Sequence, residues 1–493
     1  MTNSSNAVGA LLIYSISLSL ALVVGYILAA GSDFESIALI VLVVGALCLP
    51  ALLRVHRELL FLSWNSTLGT YFLPGQAPLW LSLAAVSLLL TLVDRTLHRD
   101  QPFATEPVIT WPLMVFAAVV LVTMLARGGV GIQWMGASGL SGGRKYVWIY
   151  GACLGYFALT GREIPVAKAP LICGLFFLGG LTGFVGPLAG WLGGSVSYIQ
   201  YVFAPVEGVL QSESGFRVKG MVYTGTAIVS WLLARYGFGG VFHEGRFWRL
   251  ALLGFGLLLG LLSGFRTTLI GLAMTLMILF FLEGHYRTPR LLTWLGGGLL
   301  GMVLLIPLTP HLPTPVQRSL AFLPLPVDQM VKFDAESTVQ WREGLWGALL
   351  QDVPQYFWLG KGLTISTVDM EWSETIARFG ADQWYASYLT GEHHNGFLSV
   401  IISFGIWGML AFFWLIAASF WVLARNYREG RTELRSINAY LLASFITWNI
   451  LFFSYAGTLY WVMKDVTGVL ALSVALNGGA AIIGSSAPRN PVR

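Results

Sequence analysis

Long apolar segments alternate with short polar loops along most of the 493-residue chain. About 14 of them approach the roughly 20 residues that a helix needs to cross a bilayer. They lie near residues 8–31, 36–53, 59–74, 78–93, 107–126, 146–160, 168–190, 219–236, 248–265, 267–283, 291–310, 394–424, 438–459 and 465–485. Lipid offers no hydrogen bonds to backbone groups, so only helices and closed barrels, which pair these groups internally, span a membrane. The pattern therefore predicts an all-α polytopic membrane protein with about 12–14 transmembrane helices.

Composition supports this class and narrows the partners. The chain is 56% hydrophobic and 11% charged, which favours a single membrane domain over residues 1–493. The formal charge of +5 is spread thinly over many loops, so nucleic acid is not an expected partner. Cys48, Cys153 and Cys173 all fall in apolar runs, without the spacing of metal ligands, and we expect them to be packing residues.

The positions of Lys and Arg predict the orientation of the spans. Basic loops at residues 54–58, 94–100, 161–168, 243–249, 285–290 and 425–435 alternate consistently on one side, which is expected to be the cytoplasm together with both termini. The first apolar run has no basic segment before it and is expected to be a retained span. The long loop over residues 311–393 then lies outside, with ten acidic and five basic residues. Its many aromatic residues predict an ordered loop, in which they form either an interfacial belt or walls that stack sugars.

Several cations depart from the positive-inside tendency. Arg266 interrupts two apolar runs in "SGFRTTLIGL", at the predicted outer face. Arg217 and Lys219 lie at the outer entry to another span, and Arg144 and Lys145 lie in "GGRKY". Contact with lipid headgroups explains each one singly. Their concentration on the translocated face favours an anionic, phosphate-bearing ligand there.

A further arginine lies in the long loop, in "ESTVQWREGLWGALLQ" over residues 336–351. Ser337 and Gln340 have the spacing of a capping box and predict the start of a short helix. Arg342 falls in the middle of the apolar stripe of that helix, which consists of Val339, Leu345, Trp346, Leu349 and Leu350. An arginine there needs an anion or a path to water. The anion is either a carboxylate such as Glu343 or a phosphate that the guanidinium grips with two hydrogen bonds.

The segment "GEHHNGFLSVIISFGIWG" over residues 391–408 carries two histidines where a loop enters an apolar run. In a helix that begins near His394, Gly405 and Gly408 lie close to the same face and allow another helix to approach. Asn395 is suited to cap this helix. An imidazole accepts a proton near neutral pH, so His394 is a candidate general base as well as a candidate structural residue. His393 and His394 point apart on a helix, and no metal site is predicted.

These motifs resemble those of the O-antigen ligase and polymerase superfamily. The ligase pattern of His, then Asn, Ser or Gln, nine residues, Gly, two residues and Gly is met by His394, Asn395, Gly405 and Gly408. The segments "WREGLWGALLQDVPQYFWLGKG" (341–362) and "SGFRTTL" are similar to the family's arginine-containing segments. The resemblance is sharpest over residues 213–410. Trp346 stands where the ligase loop motif has Leu, and Phe265 precedes Arg266 where Ser is usual, so the choice between ligase and polymerase stays open.

The resemblance implies a metal-independent, membrane-embedded glycosyltransferase of the C class that needs no cofactor and inverts the anomeric carbon. Its donor would be a glycan on undecaprenyl diphosphate, at the periplasmic face of the bacterial inner membrane. The acceptor would be the lipid A core for a ligase, or the end of a growing glycan for a polymerase of O-antigen or exopolysaccharide. Transfer to protein would use the same chemistry.

The resemblance also implies roles for individual residues. Arg266 and Arg342, with Arg217 as a weaker candidate, would neutralise the leaving diphosphate, and His394 would deprotonate the acceptor hydroxyl. Glu392 and Asp382 are acidic alternatives for the base. The residues expected to bind substrate are Arg217, Lys219, Trp346, His393 and Asn395.

Two other classes of protein compete with the enzyme. A lipid-linked oligosaccharide flippase or other transporter would be expected to place ionisable residues near the bilayer midplane. Here the charges gather at one face, and no internal repeat is seen, which favours the enzyme. A structural subunit of an envelope assembly would use the arginines only as anchors.

Overall fold

The computed structural model describes residues 51–70, 77–97, 104, 106–127, 143–203, 209–212, 215–244, 246–365 and 384–479, with the isolated residues 21, 25 and 48. The chain divides into two units, Met1–His56 and Arg57–Arg493. Every element from residue 57 onward belongs to the second unit, and that unit contains all the candidate site residues.

Helices dominate the part of the chain that the structure describes, with one antiparallel hairpin of two short strands. The helices are α1 (residues 51–64), α2 (Leu79–Leu97), α3 (Pro107–Ala126), α4 (Gly143–Leu159), α5 (Ala169–Leu178), α6 (Val185–Leu192), α7 (Lys219–Phe242), α8 (Phe247–Leu262), α9 (Arg266–Leu282), α10 (Arg290–Leu308), α11 (Thr314–Leu320), α12 (Gln329–Tyr356), α13 (Tyr385–Thr390), α14 (Gly396–Glu429), α15 (Arg435–Leu451) and α16 (Leu459–Asn477). The strands are β1 (Val209–Ser212) and β2 (Gly215–Val218). The predicted all-α polytopic class is confirmed.

Seven helical segments in the described residues are long and apolar enough to cross a membrane. They are Leu79–Thr96, Pro107–Ala126, Val166–Leu192, Leu291–His311, Gly396–Glu429, Thr432–Tyr455 and Leu459–Asn477, and two shorter apolar helices are Phe247–Leu262 and Arg266–Leu282. The total of 12–14 stays a prediction, because most of 8–31 and 36–53 lies outside the described residues. The predicted span over 59–74 is wrong, because α1 ends at residue 64 and Leu68 and Gly69 form β-bridges.

Helix α14 lies at the centre of the second unit and packs against α3, α12, α15 and α16. Its side chains Phe404, Phe412 and Leu415 are fully buried. The ring of Phe116 on α3 lies 6.0 Å from that of Phe404 and 5.6 Å from that of Phe412. This aromatic packing fixes the helix whose first residues follow the histidine pair.

Helix α14 is broken at Gly405, which has φ 65° and ψ −165°. The break frees main-chain groups, and the segment over residues 357–362 satisfies them. The Lys361 and Gly362 amides donate to the carbonyls of Ile402 (2.6 Å) and Ser403 (3.0 Å), and the Ile406 amide donates to the Phe357 carbonyl (2.6 Å). Because a buried backbone group without a partner costs free energy, this exchange makes the break tolerable.

Glycine is required on both sides of this contact. A Cβ on Gly405 would lie 2.7 Å from the carbonyl carbon of Trp358, and a Cβ on Gly360 would lie 2.4 Å from the carbonyl oxygen of Ser403. Gly360 also has a positive φ of 78°. The predicted close approach of another helix at Gly405 is therefore wrong. The neighbour is the non-helical segment 357–362, which is inserted into the break of α14. At Gly408 a Cβ would meet the side chain of Phe404 at 2.3 Å, within the same helix.

Helix α12 carries Arg342 and starts earlier than the sequence predicts. Its N-cap is Asp328, whose carboxylate accepts a hydrogen bond from the Met330 amide at 2.8 Å. The predicted capping box at Ser337 is wrong, because that residue lies inside the helix and its hydroxyl donates to the Asp334 carbonyl. Further along α12, Leu345 and Leu349 are fully buried against Leu398 and Ile402 of α14.

Replacing Gly405 with alanine is expected to lower the free energy of unfolding by about 3 kcal/mol or more, the combined effect of backbone strain and overpacking. Thermal denaturation of the purified protein in detergent measures this. Gly254→Ala on α8 is the matched control, because a Cβ there meets nothing within 4 Å. Equal denaturation temperatures for Gly405→Ala and the parent would contradict the importance of the break.

Candidate active site

Three arginines from three separate elements converge near the histidine pair. Arg217 lies on β2, Arg266 is the first residue of α9, and Arg342 lies in the middle of α12. We call these three the arginine cluster. Arg266 lowers the pKa of both Arg217 and Arg342, although burial is the larger cause for each, and Arg217 also lowers that of Arg342. The three positive charges are thus close enough to repel one another.

Arg342 is held by neutral groups. Its Nη1 donates to the Thr338 carbonyl at 3.1 Å and to the Tyr455 hydroxyl at 3.2 Å, and its guanidinium lies 4.1 Å from the centre of the Tyr455 ring. Its Nε is buried and has no hydrogen-bond partner. In the described part of the chain the nearby ion pairs involve Arg217 and Arg318, and Glu343 does not pair with Arg342. The phosphate alternative for Arg342 therefore remains the open prediction.

Asp334 of α12 organises the edge of the arginine cluster. It forms an ion pair with the buried Arg318 of α11, and its Oδ2 lies 3.8 Å from Nη2 of Arg217. On the next residue, the Ala335 carbonyl accepts a hydrogen bond from Nη2 of Arg266 at 3.4 Å. This turn of α12 thus contacts Arg217 and Arg266, the two members of the arginine cluster that lie on other elements.

His394 lies near Arg342 of the arginine cluster and has an unusual backbone conformation. Its φ of 52° makes it the one non-glycine residue with positive φ among those described. Its ring meets the ring of Trp341 edge to face, with centroids 5.2 Å apart. Burial, followed by the charges of Arg342 and Lys219, lowers its pKa from 6.5 to about 4. His394 is therefore neutral at pH 7 and able to accept a proton.

The turn that carries the histidines is fixed by Asn395, Trp346 and Ser399. The side-chain oxygen of Asn395 accepts from the Leu398 amide at 3.2 Å, as expected of an N-cap. The indole nitrogen of Trp346 donates to the His393 carbonyl at 2.9 Å. The Ser399 hydroxyl donates to the Gly457 carbonyl at 3.0 Å. Asn395 and Trp346 thus contribute to positioning the turn, while their predicted contacts with substrate stay predictions.

The other candidates are distributed differently. Lys219, the first residue of α7, acts on His394 electrostatically. His393 is 2% exposed, and the lysines that act on its ring are Lys145 and Lys361. Arg144 lies 5.9 Å from the Trp148 ring. Of the alternative bases, the Glu392 carboxylate accepts from the Tyr460 hydroxyl at 3.1 Å, and Asp382 lies outside the described residues.

Sequence reasoning missed Tyr455, Arg318 and Asp334. Tyr455 lies in a π-helical turn over Phe452–Ala456, after an apolar helix, and no charge or motif marks it. The pairing of Arg318 with Asp334 depends on how α11 packs against α12. A pattern search within single helices does not find such contacts.

The arrangement is suited to an anion with two or more negative charges beside a neutral imidazole. Repulsion among the arginines is relieved when an anion binds, and buried guanidinium groups hold phosphate oxygens with charge-assisted hydrogen bonds. Within the ranges described, no group of three or more His, Cys, Asp or Glu is arranged to hold a metal ion.

Comparison with known families assigns one region of the chain. Residues 250–413 match the family model described as O-antigen ligase, about a third of the chain. The match assigns this region to the O-antigen ligase and polymerase superfamily. No curated protein matches the chain. The predicted superfamily is confirmed, and the chain is a multi-pass membrane protein with a glycosyltransferase-like region of the O-antigen ligase type. Arg266, Arg342 and His394 fall inside the matched range, and Arg217 and Lys219 precede it.

The activity that depends on a neutral His394 is expected to fall on the acid side, with an apparent pKa below the usual 6.5 of histidine. Lys219→Gln is expected to move this acid limb to higher pH, because it removes a cation that disfavours protonation of the imidazole. The pH dependence of kcat/KM measures the change. The exposed Lys332→Gln is the control and should leave the limb in place. Coincident limbs for Lys219→Gln and the parent would contradict this electrostatic coupling.

Proposed function

We propose that the chain transfers a glycan from undecaprenyl diphosphate to an acceptor hydroxyl at the periplasmic face of the bacterial inner membrane. The reaction is metal-independent and inverts the anomeric carbon. The observation that carries the proposal is a cluster of three arginines whose member Arg342, together with Lys219, acts on a buried histidine that its lowered pKa keeps neutral. The O-antigen ligase match over the same residues supports the reaction class.

The arginine cluster holds the diphosphate of the donor. When the glycosidic carbon–oxygen bond breaks, the electron pair stays with the diphosphate, so negative charge develops there. Arg266 and Arg342 stabilise that charge, with Arg217 at the edge. Cations already fixed in a partly buried site do this more effectively than mobile ions in water, because no reorganisation is needed during the reaction. Asp334 neutralises part of the cluster and keeps its arginines folded in place when no donor is bound.

His394 is the general base. One imidazole nitrogen takes the proton of the acceptor hydroxyl while the oxygen attacks the anomeric carbon from the side opposite the diphosphate. A single displacement of this kind inverts the configuration. The cations that lower the pKa of His394 also favour the alkoxide character that develops on the attacking oxygen.

The position of the charges favours transfer over transport. Arg266 and Lys219 are the first residues of α9 and α7, and Arg217 precedes α7 on the hairpin. These are ends of helices, whereas a transporter is expected to carry its ionisable residues near the middle of the spans. The distribution of basic loops supports cytoplasmic termini and a periplasmic site.

His394→Ala is expected to reduce glycan transfer about 10²- to 10⁴-fold, the contribution of general base catalysis. Arg342→Lys is expected to lose transfer also, because an ammonium does not reproduce the planar two-pronged grip on phosphate. Transfer to acceptor in isolated membranes is the measurement, and immunoblotting of the membrane fraction checks insertion. The exposed Arg287→Lys is the charge-matched control. Parental turnover in His394→Ala would exclude the assigned base.

Deleting the gene tests the function and identifies the acceptor. A gel of envelope polysaccharide is expected to lose a long-chain glycan. Loss from lipid A with accumulation of lipid-linked polymer indicates a ligase, and single repeat units on lipid A indicate an O-antigen polymerase. An intact ladder with loss of secreted polymer indicates exopolysaccharide synthesis. An unchanged envelope and unchanged secreted polysaccharide would contradict the proposed transfer.

A further inference from the structure

A second group of basic side chains lies at the turn that carries the histidine pair. It consists of Lys145 in the first turn of α4, Lys361 in the inserted segment 357–362, and the ring of His393. We call it the lysine cluster. Both lysines act electrostatically on the His393 ring. The Nζ of Lys145 would lie 4.0 Å from a Cβ on Gly391, two residues before His393. The lysine cluster thus adjoins the turn that carries the proposed base.

Two polar atoms of this cluster, on Lys145 and His393, are buried without hydrogen-bond partners in the described part of the structure. Lys145 is 6% exposed and His393 is 2% exposed. Lys145 Nζ and His393 Nδ1 both lack a partner in the described part of the structure. An ammonium without an anion loses the free energy of its hydration on burial. The centre of the Tyr460 ring lies 5.6 Å from Lys145 Nζ, and this cation–π contact offsets part of the loss.

The nearest carboxylate does not complete the site. Burial lowers the pKa of Lys145 to about 8, and the carboxylate of Glu392 opposes this shift only in part. That carboxylate accepts from the Tyr460 hydroxyl, however, and no ion pair or hydrogen bond joins it to Lys145 among the described contacts. Lys361 Nζ lies 4.9 Å from the Tyr388 ring, on another side of the cluster. Among the described residues, neither ammonium group has a direct anionic partner, and His393 Nδ1 has no hydrogen-bond partner.

We propose that the lysine cluster is a second anion-binding site, which takes a phosphate or carboxylate group of the acceptor saccharide. The assignment to the acceptor rests on the proposed function, in which the diphosphate of the donor occupies the arginine cluster. An acceptor held here presents its hydroxyl to the neighbouring His394. The chemical class of the acceptor is therefore an acidic saccharide.

The Tm of a variant without the buried charge distinguishes a lysine that is buried to bind a ligand from a lysine that is buried to stabilise the fold. Lys145→Met keeps the length of the side chain and removes the buried charge, so a ligand site predicts a Tm at or above that of the parent when no ligand is present. A structural role for Lys145 predicts a lower Tm. A lower Tm for Lys145→Met would overturn the proposal without any use of activity.

Ligand binding is tested on the full chain in detergent with glucose 6-phosphate, glucuronate and glucose as probes. An acidic sugar that binds here is expected to raise the Tm by about 2 °C or more at saturating concentration, while glucose is not. The shift should vanish in Lys145→Met and persist in the exposed Lys332→Met. It should also persist in Arg342→Gln, which separates this site from the arginine cluster.

A shift from glucose 6-phosphate alone identifies phosphate as the ligand group, and a shift from glucuronate alone identifies carboxylate. No shift from either acidic sugar, or one lost in Arg342→Gln and kept in Lys145→Met, would overturn the proposal.

Transfer kinetics test the role in the reaction. Lys145→Met is expected to raise the KM for an acidic acceptor about tenfold or more, because one charge-assisted hydrogen bond is lost. The effect on KM should be much smaller for the same acceptor after dephosphorylation or carboxyl reduction. Equal losses for both acceptors would overturn the assignment to the acceptor. If the parent binds the acidic sugars at the lysine cluster but transfers no glycan, the proposed function fails while this binding site stands.

Discussion

The main-chain exchange at the break of α14 is the contact on which the rest of the site depends. Gly405 opens the helix, and the segment 357–362 fills the opening with three backbone hydrogen bonds. Because this segment continues directly from α12, the exchange fixes α12 against the start of α14. Arg342 on α12 and His394 before α14 are thereby held on one rigid framework. Functional groups on packed helices are positioned more accurately than groups on free loops, and the proposed reaction would need such accuracy to align a leaving group with a base.

Burial and mutual repulsion both disfavour the charged forms of Arg217 and Arg342. At Arg217, the attraction of Asp334 is larger than the repulsion from Arg266, and Asp334 also forms an ion pair with Arg318. Arg217, Arg266 and Arg342 come from three different elements, and Asp334 and the Ala335 carbonyl of α12 contact the first two. After burial, Arg342 and Lys219 lower the pKa of His394. In the proposed reaction, an anion bound at Arg342 would therefore also change the field at the imidazole.

The sequence predicts features that depend on local pattern or on a motif. Apolar length predicts the spans, and the position of Asn395 predicts a cap that the structure confirms. The break at Gly405 is not predictable from helical periodicity, which assumes a continuous helix and so assigns glycine to helix packing. The helix begins at Asp328 and not at the predicted capping box at Ser337, because the residues between them also form helix. The Arg318–Asp334 pair and the contact of Tyr455 with Arg342 depend on tertiary packing, which no single-helix pattern contains.

One backbone conformation separates the environments of the two histidines. With positive φ at His394, its imidazole meets Trp341 and the field of Arg342, while the preceding His393 lies buried with Lys145 and Lys361. In a regular helix, two adjacent side chains already differ by about 100° in direction. Here the turn with positive φ places the two rings beside different cations. A transferase must hold two substrates at once, and an anion on each side of this turn would bring a donor and an acceptor together at the single imidazole between them.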